Sequence, residues 1–263
     1  MSILALLMGL LISHFIPHVR AFRIYAWLIW PAAWTARFVQ SDGPDWLPML
    51  TLLLSAMIGG GLMAQLAEAT LGPFGLLIVS ILIVVYTLGP RDLDQDVEHA
   101  LSAESSRWAL QLPEDANGVQ AAGAVLHAAL ARWFGVMFWF VLLGIPGALL
   151  YRAARVASRQ RLGNEHQQRW FDQLLFVLNW PVLLLMTVAV ALMTDFDRVL
   201  NVWRRFQDRW RIRLEWLDQL ANALCTPDCD PQQGLHEGQD LAWRMLWVWL
   251  AVLSVLLLAG WVQ

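Results

Sequence analysis

The sequence predicts an all-α polytopic membrane protein with four spanning helices, two re-entrant or broken helical segments and amphipathic cytoplasmic helices. Three observations predict it. Trp46–Ala67, Ala69–Pro90 and Met245–Gln263 contain no charged residue, and Met1–Val19 contains none apart from His14 and His18. A helix of roughly 20 residues crosses a hydrocarbon core of ~30 Å. The composition agrees: 58% of residues are hydrophobic and 15% charged, against about 25% charged in soluble domains. Finally, all 18 basic residues are Arg, and they crowd into the segments between the apolar runs.

One membrane domain covering 1–263 is the simplest organisation. The spans fall at about 2–18, 46–67, 70–90 and 244–262. Met1–Val19 has no positive n-region and no small-residue cleavage site, so an uncleaved helix is expected rather than a secretory signal. Segment 19–45 mixes Arg20, Arg23 and Arg37 with Phe22, Tyr25, Trp27, Trp30 and Trp34. Aromatic rings and snorkelling Arg both favour the headgroup layer. Gly59-Gly60-Gly61 lies inside the second run, where small residues allow close helix packing.

Two further apolar stretches are interrupted. Trp133–Tyr151 contains Gly144-Ile145-Pro146-Gly147, and proline inside a helix costs about 3 kcal/mol. Breaks at Gly144, Pro146 and Gly147 predict a re-entrant hairpin over about 133–151. The second stretch contains Asn179-Trp180-Pro181. A break at Pro181 leaves a short apolar piece, so 176–194 is also expected to dip in and return.

Cytoplasmic loops carry an excess of Arg. With both interrupted stretches re-entrant, the segments 19–45, 91–132, 152–175 and 195–243 share one side. All the Arg residues then become cytoplasmic, Glu68 alone among the charges lies outside, and both termini are periplasmic. A six-span alternative divides the Arg between compartments. Asp197–Leu224 reads as a long amphipathic helix, with Val199, Trp203, Phe206, Trp210, Leu217 and Leu224 on one face and Arg on the other. It suits a membrane surface or the underside of the spans. The expected partners are the lipid bilayer and a cytoplasmic ligand or protein, and no nucleic acid.

Chemistry-bearing patterns are few. The absence of Lys excludes a P-loop lysine and a Schiff base. There is no Gly-x-Gly-x-x-Gly, no Gly-x-Ser-x-Gly and no His-Glu-x-x-His, so no cofactor is expected. Cys225 and Cys229 lack a second ligand pair for zinc and read as reduced loop thiols. Arg91-Asp92-Leu93-Asp94-Gln95-Asp96 follows directly on a span. Alternating carboxylates can hold Mg²⁺ with substrate phosphates, or simply favour the positive end of a helix, which is the preferred reading.

Phe138-Trp139-Phe140-Val141-Leu142-Leu143-Gly144-Ile145-Pro146-Gly147-Ala148-Leu149-Leu150-Tyr151-Arg152 resembles the Phe-Trp-x4-Gly-x-Pro-Gly-Ala-x2-Tyr-Arg signature of the AmpE/CobD-CbiB membrane family. Leu178-Asn179-Trp180-Pro181, Asp197–Arg205 and Val85–Leu93 resemble further blocks, in order. CobD-type members join an amino alcohol phosphate to a corrinoid acid with ATP. They carry Glu-Asn before the Phe-Trp block, where this chain has Leu130-Ala131-Arg132-Trp133-Phe134. They carry Asn-Thr-x-Asp-Ser-Met after Tyr-Arg, where this chain has Ala153-Ala154-Arg155-Val156-Ala157-Ser158. The AmpE branch is therefore the closer resemblance. It implies a regulatory or accessory inner-membrane protein linked to β-lactamase induction and cell-wall-fragment sensing, with no catalytic residue assigned. A CobD/CbiB-like amide-forming synthase is the alternative, and a small-molecule transporter the third reading. The ligand site is expected at Arg91, Asp92, Asp94, Arg152, Arg155 and Asn179.

Overall fold

A computed structural model describes residues 2–15, 25–39, 43–88, 93–102, 110, 112, 116–194, 199–201, 215–225 and 229–258. Among them every regular element is helical. The elements are α1 (Ser2–Phe15), α2 (Ala26–Phe38), α3 (Leu47–Thr87), α4 (Leu93–Ser102) and α5 (Gly118–Leu143), then α6 (Ile145–Gln160), α7 (Glu165–Met193), α8 (Glu215–Leu224) and α9 (Pro231–Leu258). Four of these, α3, α5, α7 and α9 (the last through Leu256), are long and apolar enough to cross a membrane.

The chain divides into two compact units. The first holds Met1–Pro90, Gly135–Asn179 and Leu257–Gln263, and the second Arg91–Phe134 and Trp180–Leu256. Helices α5 and α7 each contribute to both units along their length.

Two hairpins build the first unit. The 41 residues of α3 turn at Gly72, whose φ of 62° and ψ of −153° are non-helical. This backbone region belongs essentially to glycine. Gly75 lies so close to the Ala67 carbonyl and Leu71 Cβ that no side chain fits. The second hairpin joins the end of α5 to α6 through Gly144, with φ 67° and ψ −145°. There Gly147 is pressed against the Trp139 carbonyl and Leu143 Cβ. Leu71-Gly72-Pro73-Phe74-Gly75 and Leu143-Gly144-Ile145-Pro146-Gly147 are thus the same turn used twice. In both, a proline sits in the first turn of the outgoing arm, where its missing N–H removes no helical bond. The arms of α3 pack against α1, α2 and α6. Gly60 permits the contact with α6: a Cβ there would lie 2.7 Å from Pro146 Cα.

Two expectations need correction. The segment before Gly144 is not a short arm starting near Trp133, because α5 runs unbroken from Gly118 and includes a π turn at Leu130–Phe134. Nor does Pro181 end a helix, since α7 continues from Glu165 to Met193 through it. Proline loosens the turn before it by removing one N–H donor. In that turn the Leu178 carbonyl accepts a hydrogen bond from Trp139 Nε1 at 2.9 Å. The carbonyl that loses its donor to Pro181 is that of Val177, four residues earlier, so the Trp139 bond is a separate tie between α5 and α7.

In the second unit α4 and α8 pack on the first half of α5. Asn117 caps α5, accepting from the Gln120 N–H while Gln120 accepts from the Asn117 N–H. This reciprocal box satisfies two orphan donors. Trp216 of α8 is fully buried and donates to Thr187 Oγ1 at 2.7 Å. Of the long amphipathic helix expected over Asp197–Leu224, Glu215–Leu224 is helical, and 202–214 lies outside the described residues.

Candidate functional site

In the first unit the polar groups collect along α6. The last carbonyls of a helix have no intrahelical donor, and Arg152 supplies one to α3. Its Nε donates to the Thr87 carbonyl at 2.7 Å, and a terminal nitrogen donates to the same oxygen. A cation there also meets the negative end of the helix dipole. The guanidinium lies 5.2 Å from the Tyr25 ring centroid. Tyr25 donates to the Tyr86 carbonyl at 2.9 Å, and Trp27 Nε1 donates to the Tyr86 hydroxyl at 2.8 Å. Arg152 is only 4% exposed, so this residue of the expected site caps α3 from a buried position.

One residue earlier, Tyr151 is fully buried, and its hydroxyl donates to Asn179 Oδ1 at 2.9 Å. Gly135 makes room for the phenol ring, which any side chain at that position would strike. Further along α6, Ser158 donates to Asp172 Oδ1 at 2.6 Å, and Gln168 Nε2 donates to both Asp172 Oδ1 and the Ser158 carbonyl at 2.9 Å. Arg155 lies between these two polar pairings. It is half-buried, and its Nε is buried without a hydrogen-bond partner. Arg155, Arg152 and Arg159 all lie near enough to act electrostatically on Tyr151.

Of the expected site residues, Arg152, Arg155 and Asn179 belong together in the first unit. Asp94 belongs to the second unit, and Arg91 and Asp92 lie outside the described residues. Asp94 Oδ1 accepts from Gln239 Nε2 at 2.6 Å and Trp243 Nε1 at 2.9 Å. Asp96, 1% exposed, pairs with Arg132 at 2.6 Å. These two carboxylates of α4 thus have separate protein partners. Among the described residues no group of three His, Cys, Asp or Glu is placed to hold a metal ion.

Sequence reasoning passed over Tyr151 as a site residue and, having weighed Asp96 only among the alternating carboxylates, missed its pairing with Arg132. The Tyr-Arg pair of the family-like block was a usable signal for the first, while the ion pair joins positions far apart in the chain and left none. Cys225 and Cys229 are both buried and form no disulfide with each other. Burial pushes the Cys225 thiol up to about 12, with Glu237 adding to the rise through a hydrogen bond and its charge.

No family model matches the chain, and no solved structure matches it. It is 28% identical over 191 residues to a protein of Stutzerimonas stutzeri (strain A1501) named "Cobalamin biosynthesis protein CobD". The match takes in 62% of this chain and 55% of that protein, so the chain spans about half the length of the relative it matches. The similarity is to a CobD protein and carries nothing for the AmpE branch.

Proposed function

We propose that the chain is a bacterial inner-membrane protein of cobalamin biosynthesis, related to CobD/CbiB, that binds an anionic pathway ligand beside Arg155. The similarity to a CobD protein carries this reading. The resemblance implies ligands that all bear anionic oxygens: a corrinoid acid, an amino alcohol phosphate and ATP. A guanidinium suits such groups through charge-assisted, bidentate hydrogen bonds. Arg152 is held by Thr87, which leaves Arg155 as the better contact, with Tyr151 and Asn179 holding α6 and α7 in place.

The synthase's amide-forming step is not assigned to any residue. Where the resemblance expects a polar run after Tyr-Arg, Ala153, Ala154 and Ala157 are wholly buried and fill the space with methyl groups. This observation favours a second reading, the AmpE-type regulator of β-lactamase induction, in which the scaffold is kept without the chemistry.

Equilibrium dialysis of the purified protein against a corrinoid acid, and separately against ATP with Mg²⁺, tests the first reading. Corrinoid binding weakened about tenfold by Arg155→Ala, or 1.4 kcal/mol, is the expected result. Binding of neither ligand would remove the cobalamin reading. A changed β-lactamase induction profile on deleting the gene would then support the second.

A further inference from the structure

We propose that a cavity in the second unit, lined by the ends of α7 and α8 and one face of α9, binds a small organic zwitterion. The cavity measures about 280 Å³ and is lined by Thr194, Leu224, Cys225, Glu237, Asp240, Leu241 and Arg244. Small-molecule sites are concave, mostly apolar, and carry a few placed polar groups. Here Leu224 and Leu241 supply apolar wall. Glu237, Asp240, Leu241 and Arg244 recur at the three- and four-residue intervals that share one helix face.

The charges on that face are arranged as a dipole. Glu237 and Asp240 lie toward the start of α9, and Arg244 follows one turn later. Asp240 and Arg244 stand at i and i+4, acid before base, the orientation that best favours a pair on a helix. They do not pair, and neither has a hydrogen-bond or ion-pair partner among the described residues. A carboxylate and a guanidinium therefore stand unpartnered on one cavity wall, separated by about 6 Å of helix rise.

A ligand that answers both carries a cationic nitrogen and an anionic oxygen group joined by a short apolar linker. Its ammonium meets Asp240 and Glu237, and its carboxylate takes the Arg244 fork, a strong charge-assisted contact. The linker lies against Leu224 and Leu241. Thr194 donates its hydroxyl to the Val190 carbonyl at 2.8 Å, so its oxygen remains able to accept. A metal ion does not fit the donor set, because no metal-holding group of three is present among the described residues. The cavity is built wholly from the second unit and the proposal does not depend on the reading of Arg155.

Calorimetric titration of the full chain in detergent with glycine, β-alanine, γ-aminobutyrate and ε-aminocaproate, alongside butylamine and butyrate, tests it. We expect an intermediate ω-amino acid to bind about tenfold tighter than the singly charged analogues, a gap of 1.4 kcal/mol. Arg244→Gln and Asp240→Asn should each abolish that preference, and both positions are exposed, so folding is retained. Because Cys225 lines the cavity, saturation with the best ω-amino acid should also slow maleimide labelling of that thiol, read by mass spectrometry. Equal affinity for zwitterion, amine and acid, or an unchanged labelling rate, would overturn the proposal.

Discussion

The Tyr151 phenol donates to the Asn179 carboxamide across two helices at 2.9 Å, and both side chains are buried. The two residues come from separate family-like blocks, and the bond joins the blocks in space. A second link runs beside it, from the Trp139 indole to the Leu178 carbonyl. Removing one partner of a buried hydrogen bond leaves the other unsatisfied, at about 1–3 kcal/mol. Tyr151→Phe and Asn179→Leu should each lower the thermal stability of the detergent-solubilised protein by that much. The double variant should lose clearly less than the sum, since the residues are in contact. Strict additivity would show that the bond contributes little.

Neighbouring glycines of α3 should respond in opposite ways. A methyl at Gly60 would sit 2.7 Å from Pro146 Cα and 2.9 Å from its nitrogen, and this is backbone that cannot move aside. Gly60→Ala should destabilise by about 1–3 kcal/mol through overpacking. A methyl at Gly59 meets nothing within 4 Å. Gly59→Ala should be neutral or stabilising by up to about 1 kcal/mol, the helix-propensity gain. Melting curves of the two variants, compared side by side, decide the matter.

The Asp96–Arg132 pair is almost fully withdrawn from solvent, with side-chain exposures of 2% and 11%. Deleting one member of a buried pair strands the other charge, a loss of about 3–5 kcal/mol. Arg132→Met should therefore reduce stability severely, and adding Asp96→Leu to it should recover a good part. If the double variant were as unstable as the single one, the contribution would lie in packing and not in charge.

Cys225 gives a pH dependence with a defined sign. Its folded-state value near 12 stands above the ordinary thiol value of 9.0, so the folded protein favours the neutral thiol. The associated stability is fully present below pH 9 and is lost as pH rises toward 12, because the unfolded chain ionises first. Thermal stability of the wild type should therefore fall across this window more steeply than that of Cys225→Ala. Maleimide labelling of Cys225, which needs the thiolate, should also keep rising above pH 9 without a plateau. A plateau near pH 9 would contradict the assignment.

The membrane class and helical architecture were legible in the sequence because they rest on local properties. Uncharged runs of sufficient length must be helical in hydrocarbon, where every backbone donor needs a partner within the segment. The turn at Gly144 was legible for the same reason, since glycine and proline act on their own few residues. The break between the spans expected at 46–67 and 70–90 was placed at Glu68, and the structure puts it at Gly72, because the charge marked the interruption while the backbone turns where glycine allows it. The continuation of α7 through Pro181 was not legible, because proline counts as a breaker on local grounds alone. Likewise, nothing near Arg152 announces that its guanidinium caps α3, and nothing near Asp94 announces Gln239 and Trp243. Composition and spacing therefore determined the helical class and the Gly144 turn, whereas the extents of the helices and the partners of the buried polar groups were decided only by tertiary packing. The physical reason is that backbone preference is set within a few residues, while a buried polar group must be satisfied by whichever distant segment folds against it.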